Sequence, residues 1–274
     1  MPEAAPSSVE LFAREVGRGP TILLLHGLGG DHSIWNGVIP LLEREFRVVA
    51  PDLRGHGRTP APPGATYALL EFEADVLRLL TERSPQPVHL VGLSAGAFVA
   101  LDLAYRHPGR AKSLTLVNGS AYCDRHTREI VVRWQETFRD GGSEALLVRL
   151  VKDLYDADWT EEHFEIVERM RHQLSGPQLG VVGRWAEQLA TFDLRGQLSR
   201  LKVPTLILQA MSDSVVDSTH GRFLRQSIPG AELKLYRATG HMMPVERPEE
   251  TATAIREFVN RVESSPGSAA PPVV

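Results

Sequence analysis

The chain has 274 residues, 42% of them hydrophobic, enough for one large domain or two small ones with a sizeable core. Thirty basic against 34 acidic residues leave a net charge of −4, so no basic surplus points to nucleic acid or to an anionic membrane. A single cysteine, Cys123, excludes an intrachain disulfide, and no apolar run approaches the roughly 20 residues of a membrane helix. Residues 1–8, MPEAAPSS, lack the basic start and apolar segment of a secretory signal. The expected setting is the reducing cytoplasm.

In chain order, GPTILLLHG (19–27) is a short apolar strand ending in glycine. HSIWNGVIPLLEREF (32–46) has helical spacing, and RVVAPD (47–52) returns to strand. YALLEFEADVLRLLTE (67–82) predicts a helix buried along Leu69, Leu70, Phe72, Val76, Leu77 and Leu80. VHLVGLSAGAFVALDLA (88–104) passes from strand straight into helix. SLTLVNG (113–119), PTLILQA (204–210) and AELKLYRA (231–238) are strands. STHGRFLRQSI (218–228) is a short helix and RPEETATAIREFVNRVES (247–264) the closing one. Strands alternating with helices predict an α/β fold, a mostly parallel sheet flanked by helices. Residues 120–200 break the rhythm with amphipathic stretches such as 144–156 and 161–174, and are expected to form an inserted helical cap. Residues 1–119 and 201–264 would then be the core, and 265–274 a disordered tail.

The strand-to-helix corner carries Gly92-Leu93-Ser94-Ala95-Gly96. G-x-S-x-G at such a join is a nucleophile elbow, in which small neighbours let strand and helix pass closely while the serine is thrown outward. A serine hydroxyl needs a general base, and the base an orienting acid. His241, in the loop after the last strand, is the base. Two acids follow the strand 204–210; Asp213 is preferred, whereas Asp217 precedes a helix and reads as its N-cap. The backbone N–H groups of Leu28, in a glycine-rich loop, and of Ala95, at a helix N-terminus, are expected to form the oxyanion hole. Trp35, Trp185 and Met242 are candidate pocket residues. No HExxH or Cys/His cluster suggests a metal, and this machinery requires no cofactor.

His26-Gly27-Leu28-Gly29, DLRGHG (52–57), GLSAG (92–96), MSDSVVD (211–217) and GHMMPVERP (240–248) together resemble the α/β-hydrolase superfamily, over most of residues 20–260. Within it, the chain is most similar to small bacterial esterases and enol-lactonases. The resemblance implies a serine hydrolase that cleaves a small carboxylic ester or lactone through an acyl-enzyme. It also implies that His26, His56, Asp52 and Arg54 brace loops. Cys123 is expected to be a buried, inert thiol, with a position facing the pocket from the cap entrance as the alternative. One departure is Gly96-Ala97, where many relatives carry two glycines. Ser94 argues against epoxide opening and halide displacement, which use aspartate at the elbow. Met242, where carbon–carbon hydrolases often carry tryptophan, weighs against that reaction. Peracid-forming and halogenating relatives share the triad. A ligand receptor on the same scaffold is the non-enzymatic alternative. The oligomeric state is not legible.

Overall fold

A computed structural model describes residues 8–61, 64–165 and 177–265. The strands are β1 (Ala13–Val16), β2 (Thr21–Leu25), β3 (Arg47–Pro51), β4 (Val88–Leu93), β5 (Ala111–Val117), β6 (Thr205–Ala210) and β7 (Glu232–Tyr236). The helices are α1 (Ile39–Leu42), α2 (Leu69–Arg83), α3 (Ala95–Arg106), α4 (Arg125–Leu154), α5 (Ala157–Glu162), α6 (Pro177–Leu189), α7 (Ser218–Ser227), α8 (Met243–Glu246) and α9 (Pro248–Ser264).

The strands alternate their side chains between two core layers. β2 sends Ile22 and Leu24 into one layer and Leu23 and Leu25 into the other, as a strand covered on both faces must. Phe72 of α2, Val99 of α3 and Leu224 of α7 pack into the layer that holds Leu23. Ile39 of α1 and Ile255 of α9 pack into the layer that holds Ile22. The sheet has seven strands in the order β1-β3-β2-β4-β5-β6-β7. Only the β1–β3 pair is antiparallel. The sequence reading contains no β1, because AREV is too short and too polar to signal a strand; its pairing with β3 defines it.

The helix expected over 32–46 is instead a 3₁₀ turn at His32–Trp35 followed by the single turn of α1. Pro40 has no N–H to donate backward, so a helix cannot run through it and restarts beside it. Between β5 and β6 the described residues form α4, α5 and α6. Tyr122 and Asp193, on either side of these helices in the chain, make an isolated antiparallel bridge. α4 is two helices joined at Gly142, whose φ of 68° interrupts the helical backbone. Most of the stretch 161–174 and of the tail 265–274 lies outside the described residues, as do residues 1–7. Among the described residues, no helix is long and apolar enough to cross a membrane. The segments that hold Leu28, Ser94, Asp213 and His241 follow the carboxyl ends of β2, β4, β6 and β7, on one edge of the sheet.

Candidate active site

Ser94 sits between β4 and α3 with φ 53° and ψ −119°, a conformation that non-glycine residues adopt only at a cost of roughly 1–3 kcal/mol. Close packing enforces it. A Cβ on Gly92 would lie 2.7 Å from the Ala97 Cα, and one on Gly96 would lie 2.6 Å from the Leu25 carbonyl oxygen. The Ala97 methyl is accommodated by Gly119, on which a Cβ would come within 2.6 Å of it.

His241 and Asp213 are both buried, and the imidazole Nδ1 lies 2.8 Å from Asp213 Oδ2. The other carboxylate oxygen, Oδ1, accepts the N–H groups of Val215 (2.8 Å) and Val216 (2.9 Å), which aims Oδ2 at the ring. Asp217 caps α7 by accepting the Thr219 N–H at 2.9 Å, and its carboxylate makes no recorded contact with His241. Ser94, His241, Leu28 and Ala95 line one cavity of about 580 Å³. Among the described residues, neither the Leu28 nor the Ala95 N–H has a protein acceptor.

The loop that carries His241 is pinned from several sides. The Asn118 side-chain amide donates to the His241 carbonyl (2.8 Å) and the Gly240 carbonyl (3.3 Å), while Asn118 Oδ1 accepts the Ala210 N–H (2.7 Å) at the end of β6. Glu246 Oε2 accepts the Gly240 N–H (2.8 Å) and, from the residue before α5, the Asp156 N–H (3.2 Å). Burial pushes the Glu246 carboxyl above its ordinary range. The Met242 N–H donates to the Leu154 carbonyl at the end of α4 (3.0 Å). Neither Asn118 nor Glu246 stood out in the sequence. Their partners lie up to 123 residues away, as for the Asn118–His241 bond, and the one local signal was an asparagine directly after an apolar strand.

His26 and His56 brace the glycine-rich loop after β2. His26 Nδ1 donates to the Gly27 carbonyl (2.8 Å) and Nε2 accepts the Leu53 N–H (2.9 Å). His56 Nε2 accepts the Gly29 N–H (3.2 Å) and Nδ1 donates to the Arg54 carbonyl (3.0 Å). Burial lowers their pKa values to about 4 and about 3 respectively, so both rings are neutral acceptors near neutral pH. Arg54 is fully buried and spends its guanidinium on Asp75 (2.6 Å) and Glu71 (2.9 Å). Asp31, His32 and Asp52 could bring ligand atoms within 4.8 Å of one another. Each is already engaged: Asp52 accepts the His32 and Arg58 N–H groups, and Asp31 accepts the Ser33 N–H.

A family model described as the alpha/beta hydrolase fold matches residues 20–248. The chain belongs to this family. RutD of Variovorax paradoxus, a proposed carbamate hydrolase, is 31% identical over 252 residues, 91% of this chain and 94% of that one. A thermophilic esterase from Thermogutta terrifontis superposes with a TM-score of 0.83 at 29% identity, covering 93% of this chain and 94% of the other. The enol-lactonase of Burkholderia xenovorans does so with a TM-score of 0.83 at 27% identity, covering 91% and 96%.

Two of the three candidate pocket residues lie elsewhere in this α/β-hydrolase. Trp35 is fully buried in the core layer with α1 and α9 and is not on the cavity wall. Trp185 also turns away from the cavity. It stacks on Phe72 at 4.4 Å and meets the edge of His56 at 5.1 Å. The reason is helical phase: Val181 and Trp185, four residues apart, face the core, while Gly183, Ala186, Glu187 and Ala190 line the cavity. Cys123, expected to be buried and inert, lines the cavity half-exposed, its thiol pushed up by partial burial. Met242 is on the wall.

Proposed function

We propose that this α/β-hydrolase cleaves a small carboxylic ester or lactone through an acyl-enzyme. Ser94 Oγ attacks the carbonyl carbon while His241 takes its proton. Asp213 holds the Nδ1–H tautomer and stabilises the imidazolium that forms. The Leu28 and Ala95 N–H groups receive the oxyanion, a role in which each donor is typically worth about 2.7–4 kcal/mol. The protonated His241 releases the alcohol, then deprotonates the water that frees the acid and restores Ser94. The observation that carries this reading is the 2.8 Å Asp213–His241 bond beside a strained serine on the same cavity. Residues 120–200 are read as a cap that selects substrate, and the free thiol of Cys123 favours a cytoplasmic setting.

Carbamate cleavage is a second reading, favoured by the names of relatives such as RutD. It would use the same attack on a carbonyl. A fluorophosphonate should label Ser94 and stop ester turnover, and Asp213→Asn should lower kcat by roughly 10⁴-fold. Labelling elsewhere, or full activity in Ser94→Ala, rejects the assignment.

A further inference from the structure

The cavity is too large for the smallest of these substrates. At about 30 Å³ for each water-sized group, 580 Å³ holds roughly twenty non-hydrogen atoms. It falls in the range of pockets for drug-sized ligands. An acetyl ester or a carbamate would leave most of it filled with water.

The wall also speaks to charge. Phe98, Val131, Val132, Phe138, Leu150 and Leu189 make it apolar. Three of its polar side chains bond to backbone: Arg128 donates to the Ala190 carbonyl (3.0 Å), Gln135 to the Gly183 carbonyl (3.4 Å) and Thr127 to the Val215 carbonyl (3.0 Å). Arg128 and Glu187 both stand on this wall, so their formal charges sum to zero there. Among the described residues that line it, the wall carries no net positive charge to select an anion.

Gly183 is the sharpest feature. It lies inside α6, and it is absent from the residues with positive φ. A Cβ built on it would meet, among the described residues, only Gln135 Nε2, at 3.9 Å. Among the described residues, neither backbone geometry nor close packing therefore requires glycine. In a helix interior it costs about 1 kcal/mol relative to alanine. What it provides is an absent side chain on the cavity wall.

We infer that the substrate is a neutral ester or lactone with an apolar arm on the order of eight carbons, and that Gly183 sets the length of arm the cavity accepts. This rests on the acyl-transfer reading above and narrows it. Burying each methylene contributes about 0.8 kcal/mol, or about fourfold in kcat/KM, until the cavity is full.

The test measures kcat/KM for nitrophenyl acetate, butyrate, hexanoate, octanoate and dodecanoate, and for ethyl carbamate, with Ser94→Ala as the blank. The wild type should climb by about fourfold per methylene to a maximum at hexanoate or octanoate, then fall. Gly183→Phe should move the maximum to a shorter chain, and Gly183→Leu should move it less; helical circular dichroism reports that both fold. A maximum at acetate, faster cleavage of ethyl carbamate than of hexanoate, or an unmoved profile in both folded variants overturns the inference. If Ser94 is labelled and acetate is turned over while longer esters are not, acyl transfer stands and only this inference falls. If Ser94 is unlabelled and no ester is cleaved, both fall.

Discussion

Replacing Asn118 by alanine should damage catalysis through a residue that never touches the cavity. Asn118 is fully buried and joins the end of β6, which leads to Asp213, with the loop that carries His241. The substitution removes three hydrogen bonds, at 2.7, 2.8 and 3.3 Å. At about 1 kcal/mol each, they amount to about 3 kcal/mol. Asn118 also has φ 45°, where asparagine is tolerated and alanine adds roughly 1–2 kcal/mol. The expected loss is thus about 4–5 kcal/mol, a large share of the 5–15 kcal/mol typical of a domain. A freed His241 loop needs to shift by only about 1 Å to lower kcat on the order of 10²-fold. KM should change little. Asn118→Gly removes the same bonds without the backbone penalty, so it should be the more stable of the two variants by about 1 kcal/mol. Urea unfolding and steady-state ester kinetics measure both quantities. An Asn118→Ala protein that loses less than about 1 kcal/mol with unchanged kcat would refute this reasoning.

Trp185→Ala should act on stability and not on selectivity: the loss of its contacts with Phe72 and His56 predicts about 3–5 kcal/mol by chemical unfolding. A reordered substrate preference at unchanged stability would mean that the indole reaches the cavity after all. The buried histidines predict the response to acid. His26 and His56 have folded pKa values of about 4 and about 3, below the ordinary 6.5, so the unfolded chain binds more protons in this window. Their contribution is complete above pH 6.5 and drains away as pH falls toward 4 and 3. His56→Gln should flatten the fall in stability between pH 6 and pH 4, measured by urea unfolding along a pH series; an unchanged slope would count against a neutral buried His56.

The elbow was legible from residues 92–96 because its requirement is local: a strand meeting a helix at one serine needs small flanking residues, and those are neighbours in sequence. The strand and helix alternation was legible for the same reason, since periods of two and 3.6 are written into consecutive residues. The preference for Asp213 over Asp217 was partly local as well, because Asp217 announces itself as a cap before α7. Tertiary structure decided the rest. β1 exists only through its pairing with β3. Trp185 could be assigned to core or cavity only once α6 had a rotational phase against the sheet. Asn118 acquired its role from partners 92 and 123 residues away, brought within hydrogen-bond distance by the parallel order of β5 and β6. A sequence displays the constraints a residue shares with its neighbours along the chain. Where a buried amide sends its hydrogen bonds depends on which loops the sheet has laid side by side.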